Sequence, residues 1–239
     1  MGNTALVTGT DRGLGNALAA GLLQRGWNVV AGHLDDNPPD LAIGPGGSRG
    51  DLYPVRIDVA DDASVARAAE ETRRQVGSVD MVINNAGVLG RNLENDIRTG
   101  LDYESAMATL NVNAFGPLRV VEHFIALMDS SPLKRLCFIS SEAGCLTRSY
   151  RTAWYGYCVS KTALNMGVSI MFNDLRPDGF TFRLYHPGWM RTYMRGEKDT
   201  RATLEPAEAA ELAMDYFLAD GVDESRLVLR DNEGNEWPW

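Results

Sequence analysis

Short apolar runs alternating with longer stretches of helical spacing constrain this chain more than any other feature. "TALVT" (4–8), "NVVAGH" (28–33), "PVRID" (54–58), "DMVINN" (80–85), "RLCFIS" (135–140), "FTFRLYH" (180–186) and "RLVLR" (226–230) read as strands. Several are apolar without alternation, the pattern of a strand buried on both faces. Helical stretches fall at about 14–26, 62–76, 102–128, 153–175 and 206–219. A parallel neighbour is reached only by a crossover, and crossover helices cover both faces of the sheet they join. The expectation is a doubly wound (Rossmann) α/β fold with a parallel seven-stranded sheet and helices on both faces, as a single domain over residues 1–239. No internal repeat or interdomain linker interrupts it. The Pro/Gly-rich piece "NPPDLAIGPGGSRGD" (37–51) reads as a surface loop where a crossover helix would otherwise sit.

Charge and cysteine usage narrow the function. A formal charge of −9 and a pI near 4.9 argue against nucleic acid or an anionic membrane as partner. The chain has no apolar run of membrane-spanning length and no signal-peptide pattern at Met1. Cys137, Cys145 and Cys158 are odd in number and lack metal-ligand spacing, which suits reduced thiols in the cytoplasm. With His33, His123 and His186 as the only histidines, no metal site is expected.

In an open α/β sheet the ligand crevice lies at the carboxyl ends of the strands. After the first strand comes "TGTDRGLG", where Gly9, Gly13 and Gly15 open the first helix and allow close backbone approach of a pyrophosphate to its N-terminus. The spacing departs from the common G-x-G-x-x-G, and glycines also serve helix entry, so the position after the first strand carries the argument. "NNAG" (84–87) ends the fourth strand. "DV" (58–59) ends the third, where Asp58 suits two roles, an acceptor for an adenine amino group or a cap for the helix beginning near Asp61 or Asp62.

The chemical end shares this edge. Tyr157 and Lys161 in "YCVSK" are four residues apart on one helical face. "ISSEAG" (139–144) ends the fifth strand and offers Ser141 as a hydroxyl partner. "NVNAFG" (111–116) places Asn113 in the preceding helix, and "HPGWMRT" (186–192) follows the sixth strand.

Together "TGTDRGLG", "NNAG", "NVNAFG", "ISSEAG", "YCVSK" and "HPGWMRT" resemble the compact branch of the short-chain dehydrogenase/reductases, from Thr4 to the C-terminus. "SKTALN", "HPGWMRT" and the ending "DNEGNEWPW" resemble its Sniffer/C-factor-like carbonyl reductases. The resemblance implies an oxidoreductase that passes a hydride between NAD(P)(H) and a carbonyl or alcohol. Tyr157 is then the general acid or base, Lys161 holds the nicotinamide ribose and lowers the tyrosine pKa, Ser141 binds the substrate oxygen, and Asn113 holds a relay water through a local helix distortion. It further implies that Thr8, Gly9, Gly13, Leu14 and Gly15 form the pyrophosphate turn, that Asp58 with Val59 meets the adenine, and that Asn85, Ala86 and Gly87 order the crevice. Pro187, Gly188 and Thr192 would flank the nicotinamide carboxamide. Moving a phenol from ~10 to ~7 requires ~4 kcal/mol, about what one lysine charge supplies at ~4 Å with an effective dielectric of ~20.

Two departures bear on specificity. The segment "LTRSYRTAW" (146–154) lengthens the loop before Tyr157 and makes a pocket wall, with Tyr150 and Trp154 either shaping the pocket or packing on the neighbouring loop; Trp189 and Met190 face the same choice. At the end of the second strand His33, followed by Leu34, stands where NAD-specific members carry a carboxylate, and Arg12 matches a basic position of NADP-preferring members. NADP(H) is therefore favoured, with NAD(H) as the alternative through Asp35. The helices at about 102–128 and 153–175 imply a homodimer or homotetramer by resemblance. The rival reading is a dinucleotide-binding regulatory or signalling protein with little turnover; intact Asn113, Ser141, Tyr157 and Lys161 weigh against it.

Overall fold

The computed structural model describes residues 2–44, 46–194 and 196–239. Its strands are β1 (Thr4–Thr8), β2 (Asn28–His33), β3 (Leu52–Arg56), β4 (Met81–Asn84), β5 (Arg135–Ile139), β6 (Thr181–His186), β7 (Leu229–Asp231) and β8 (Glu236–Trp237). They form one sheet in the order β3-β2-β1-β4-β5-β6-β7-β8. The first seven run parallel, as the apolar runs implied, and β8 is antiparallel to β7. The expected strand count is thus corrected from seven to eight. The ending after Arg230 folds back because Asp231 Oδ1 accepts from Glu233 N and Asn235 N and Gly234 takes φ +86°. Trp237 Nε1 then donates to Asp231 Oδ2 at 2.9 Å.

The strand direction of chain progression reverses between β1 and β4, which opens a crevice at their carboxyl ends. Successive strand residues point to opposite faces. Leu6, Val30, Val82 and Leu184 pack with Val65 of α2 (Asp62–Val76), Phe124 of α4 (Gly116–Met128) and Val168 of α5 (Tyr155–Leu175). Ala5, Val29, Ile83 and Tyr185 face the other way, against Leu18 of α1 (Gly13–Gln24) and Met214 of α6 (Pro206–Phe217). The described residues of 37–51 include no helix; Asn16 of α1 holds this piece by donating to Asp40 O and accepting from Ala42 N.

The helix expected at 102–128, with the local distortion at Asn113 that the resemblance implied, is three pieces: α3 (Tyr103–Leu110), a π-helical turn (Asn111–Phe115) and α4. Arg119 fastens the widened turn, reaching Asn111 Oδ1 at 2.7 Å and Val59 O at 3.2 Å, while Asn111 Nδ2 donates to Ala60 O. The turn lies where Asn113 sits, a usual place for such bulges. Asp61, whose carboxylate accepts from Ala63 N, is the α2 cap, so Asp58 is free of that duty.

One charged side chain in the core stands out. Arg183, in the middle of β6, is 0 % exposed. Its Nη1 and Nη2 grip Glu224 Oε2 and Oε1 at 2.9 and 2.7 Å, and further bonds reach the carbonyls of Phe182, Tyr216 and Ala219. Tyr216 and Ala219 flank the end of α6, where carbonyls lack intrahelical donors. The buried guanidinium therefore ties the end of α6 and the loop beyond it to the sheet.

Candidate active site

A cleft of about 920 Å³ runs along the carboxyl edge at the β1/β4 crossing. Gly9, Arg12, Gly13, Leu14 and Gly15 line one end, with Asp58, Val59, Asn85, Ala86 and Gly87 beside them; Ser141, Tyr157, Lys161, Pro187, Gly188 and Thr192 line the other. Three expected site residues lie behind the lining: Thr8, His33 and Asn113.

Each of the three has a local reason. Thr8 Oγ1 accepts from Asn85 N and Ala86 N at 3.0 and 3.1 Å, so it joins the ends of β1 and β4. Asn85 returns the link by donating from Nδ2 to Thr8 O and Gly9 O. His33 is buried, with Nδ1 2.9 Å from Asp35 O, and the side chains facing the cleft at the end of β2 are Leu34 and Asp35. Asn113 accepts from Val88 N and donates to Val88 O, both at 2.8 Å, and donates to Ser160 Oγ at 3.0 Å. The π turn thus fastens the loop after β4 to α5, one residue before Lys161.

The first end is built for a dinucleotide diphosphate. A Cβ on Gly15 would lie 2.1 Å from Gly9 O, so only glycine allows the turn to close on the helix, and Gly13 has φ +62°. No side chain caps α1 and no acid lies in its first turn, which leaves its N-terminal N–H groups open to an anion. The residues present fit such a cofactor. Asp11, which the sequence reasoning passed over, accepts from Leu34 N and Asp35 N at about 3.0 Å and ties the glycine turn to the end of β2.

At the other end Lys161 Nζ donates to Ile139 O at 2.8 Å, and Ser141 Oγ donates to Glu142 Oε2 at 2.8 Å. Burial without a carboxylate partner lowers Lys161 to about 8. Burial pushes Tyr157 up to about 12; the hydrogen bond with Ser141 acts downward and the Glu142 carboxylate upward. In the protein without cofactor, then, burial of the phenol outweighs what lowers its pKa. The ammonium lies 5.9 Å from the ring centroid, points at a carbonyl, and has its own charged form weakened. His186 is lowered chiefly by burial, and its Nδ1 has no hydrogen-bond partner among the described residues.

Glu142, Arg151 and His186 also line this end, and sequence reasoning singled out none of them. Glu142 was visible as a charge among small residues in "ISSEAG", but its pairing with Arg151 spans a loop whose path spacing does not fix. Tyr150, Trp154, Trp189 and Met190 do line the cleft, and Trp154 fills both expected roles, since it also holds the neighbouring loop. Trp154 enters α5 with φ +66°, held by donation from its N to Leu93 O and from Nε1 to Glu94 Oε1. Among the described residues no group of His, Cys, Asp and Glu suits a metal ion, and no helix is long and apolar enough to cross a membrane.

Comparison with known proteins gives a consistent picture. Residues 3–203 match the family model described as short chain dehydrogenase. The chain is 38 % identical over 164 residues to C-signal of Myxococcus xanthus, covering 68 % of this chain and 94 % of that protein. A short-chain dehydrogenase/reductase from Burkholderia multivorans with bound NADP superposes with TM-score 0.82 at 24 % identity, covering all of both chains. Carbonyl reductase Sniffer of D. melanogaster does so with TM-score 0.81 at 18 % identity, again over all of both chains.

Proposed function

The chain belongs to the short-chain dehydrogenase/reductase family of NAD(P)-dependent oxidoreductases, and we propose that it interconverts a carbonyl compound and its alcohol, using Ser141, Tyr157, Lys161 and Asn113. One observation carries the reading: Ser141, Tyr157 and Lys161 line one end of the same cleft that the open N-terminus of α1 enters at the other.

Bound at the glycine turn, with Asp58 and Val59 at the adenine and Pro187, Gly188 and Thr192 at the nicotinamide, NADP(H) would supply the hydride. In reduction Tyr157 donates its phenolic proton to the carbonyl oxygen, and in oxidation its oxygen takes the alcohol proton. Ser141 Oγ holds the same substrate oxygen; in the free protein its hydrogen is directed to Glu142. Lys161, anchored on Ile139 O, presents an ammonium whose charge favours the phenolate when the proton leaves. Asn113 fixes the loop after β4 against α5 and so sets the width of the cleft. The rate of NADPH oxidation across aldehydes, ketones, quinones and steroid ketones tests this; no turnover with any carbonyl would favour the regulatory alternative.

Cofactor choice follows from the end of β2. Asp11 spends its carboxylate on the Leu34 and Asp35 amides, and exposed Arg12 has no ion-pair partner among the described residues. A guanidinium there meets a 2′-phosphate with paired hydrogen bonds, in line with the NADP of the Burkholderia protein. Asp35 works against it and keeps the preference modest. Arg12→Ala is expected to lower the NADPH-to-NADH ratio of kcat/KM by ~10-fold; an unchanged ratio removes Arg12 from the assignment.

Self-association is the remaining proposal. Met166 and Ile170 of α5 are 63 % and 61 % exposed and share a stripe with Val159. A two-fold dimer would cover this stripe with the same stripe of a second copy. Light scattering of Ile170→Glu should then give half the native mass, and a monomeric native protein at micromolar concentration overturns the proposal.

A further inference from the structure

We propose that the substrate of this cleft carries a carboxylate and that Arg151 receives it. The inference rests on the hydride-transfer reading above and names the substrate class of the same site.

Arg151 lies on the loop between β5 and α5, on the cleft wall that also holds Ser141 and Tyr157. Its side chain is 22 % exposed. The guanidinium carbon stands 4.7 Å from the Trp154 ring centroid and 5.3 Å from that of Tyr150. Aromatic faces hold the plane of the group and leave its edges for hydrogen bonding. A guanidinium has five N–H donors. Among the described residues Arg151 spends one, from Nη2 to Glu142 Oε1. The others remain for a ligand.

The surroundings choose the ligand. In a chain of net charge −9, Arg151 and Lys161 are the lysine and arginine cations lining the substrate end among the described residues, and Lys161 is bound to Ile139 O. Arg148 of the same loop is exposed, lies over Trp237, and has no carboxylate within ion-pair distance among the described residues. At the substrate end of the cleft an anion is therefore drawn to this loop, while the cofactor's phosphates are left to α1 and Arg12 at the other end. The rings of Tyr150, Trp154 and Trp189 beside the guanidinium suit a carbon skeleton attached to that anion.

Glu142 gives the arrangement its logic. Without substrate it neutralises a guanidinium that is largely withdrawn from water, which would otherwise be costly. Its second oxygen accepts the Ser141 hydroxyl. The anion position is thereby linked through Glu142 to the hydroxyl that meets the substrate oxygen, and a substrate with both groups can span Arg151 and Ser141. A planar fork prefers a carboxylate because two parallel N–H···O bonds form at once.

The test is a matched set of oxo acids of several chain lengths, each with its methyl ester and its phosphate-bearing analogue, assayed by NADPH oxidation. The expected result is a kcat/KM for the best acid ~10- to 10²-fold above its ester, less than a fully buried polar site achieves because Arg151 keeps some water. Arg151→Lys, which keeps the charge and loses the fork, should cut the ratio severalfold, and Arg151→Ala/Glu142→Gln, which keeps the site neutral, should bring it close to one. Calorimetric binding of the same acids to the NADP⁺-loaded protein should lose the same preference in the double variant. Esters turned over as well as acids, a ratio that survives both variants, or a phosphate preferred to the carboxylate would each overturn the proposal while leaving the hydride-transfer reading intact. If no compound is turned over, that reading fails, and calorimetry alone decides: acid binding that depends on Arg151 supports the anion site, and its absence overturns it.

Discussion

Tyr157→Phe is expected to lower turnover by roughly 10²- to 10⁴-fold, the range general acid–base catalysis supplies, with cofactor affinity and fold retained. The substitution removes one oxygen that meets Ser141 and leaves the ring beside Trp154, 6.1 Å between centroids, in place. Turnover near the native value in purified Tyr157→Phe would remove the tyrosine from the chemistry. A second readout does not depend on activity. In the cofactor-free protein Tyr157 titrates at about 12, above its ordinary value of 10.0. The folded state then holds more protons than the unfolded one between these values, so its contribution to stability is intact below pH 10 and declines as pH rises toward 12. Lys161, lowered from 10.5 to about 8, has the opposite sign: the cost of its buried charge is fully present below 8 and is relieved as pH rises to 10.5. The alkaline unfolding edge of Tyr157→Phe is therefore expected at higher pH than that of the native protein.

Glu224→Ala should destabilise the protein by about 3 kcal/mol, because it leaves the Arg183 guanidinium buried with neutral carbonyls as its remaining acceptors. The lower end of the range for breaking a buried pair is chosen because the Glu224 side chain is 35 % exposed and water can reach the vacated place. For a chain of this length that corresponds to a fall in Tm of roughly 6–12 °C. Replacing both partners, Arg183→Met with Glu224→Ala, should cost less than Glu224→Ala alone, since no charge is then stranded. A calorimetric melt of the three proteins decides it, and a Tm for Glu224→Ala within a degree or two of native would show that the pair does not hold α6.

Which parts of this architecture a reader of the sequence could see follows from how each is encoded. The parallel strands are legible because β1, β2 and β4 are buried on both faces and their residues must be apolar throughout. Tyr157 and Lys161 are legible because helical spacing alone puts them together. β8 is not, since two residues carry no period; it exists through the Asp231 turn and the Trp237 bond. The π turn leaves the apolar pattern of 102–128 unbroken and depends on the reach of Arg119 across to Val59 and Asn111. His33 occupies the expected chain position, but its ring turns to the Asp35 carbonyl, a rotamer choice that no pattern reveals. Arg183 reads as an interruption of an apolar strand until Glu224, forty-one residues later, is seen to meet it. The terms that raise the phenol's pKa in the cofactor-free protein are hidden for a related reason: burial and the Glu142 charge are properties of the folded wall.

Lys161 also makes the cleft chemically addressable. The chain contains three lysines, at 134, 161 and 198. An ordinary lysine, with a pKa near ~10.4, is almost wholly protonated at pH 8 and reacts slowly with acylating reagents. An amine lowered to about 8 is half in its free-base form there, and Lys161 opens into the cleft. At equal access, a small electrophile offered near pH 8 should meet more free base at Lys161 than at Lys134 or Lys198, and a ligand seated over that floor should shield it. Counting the labelled amine would then measure the fraction of molecules with a vacant cleft, with no substrate needed.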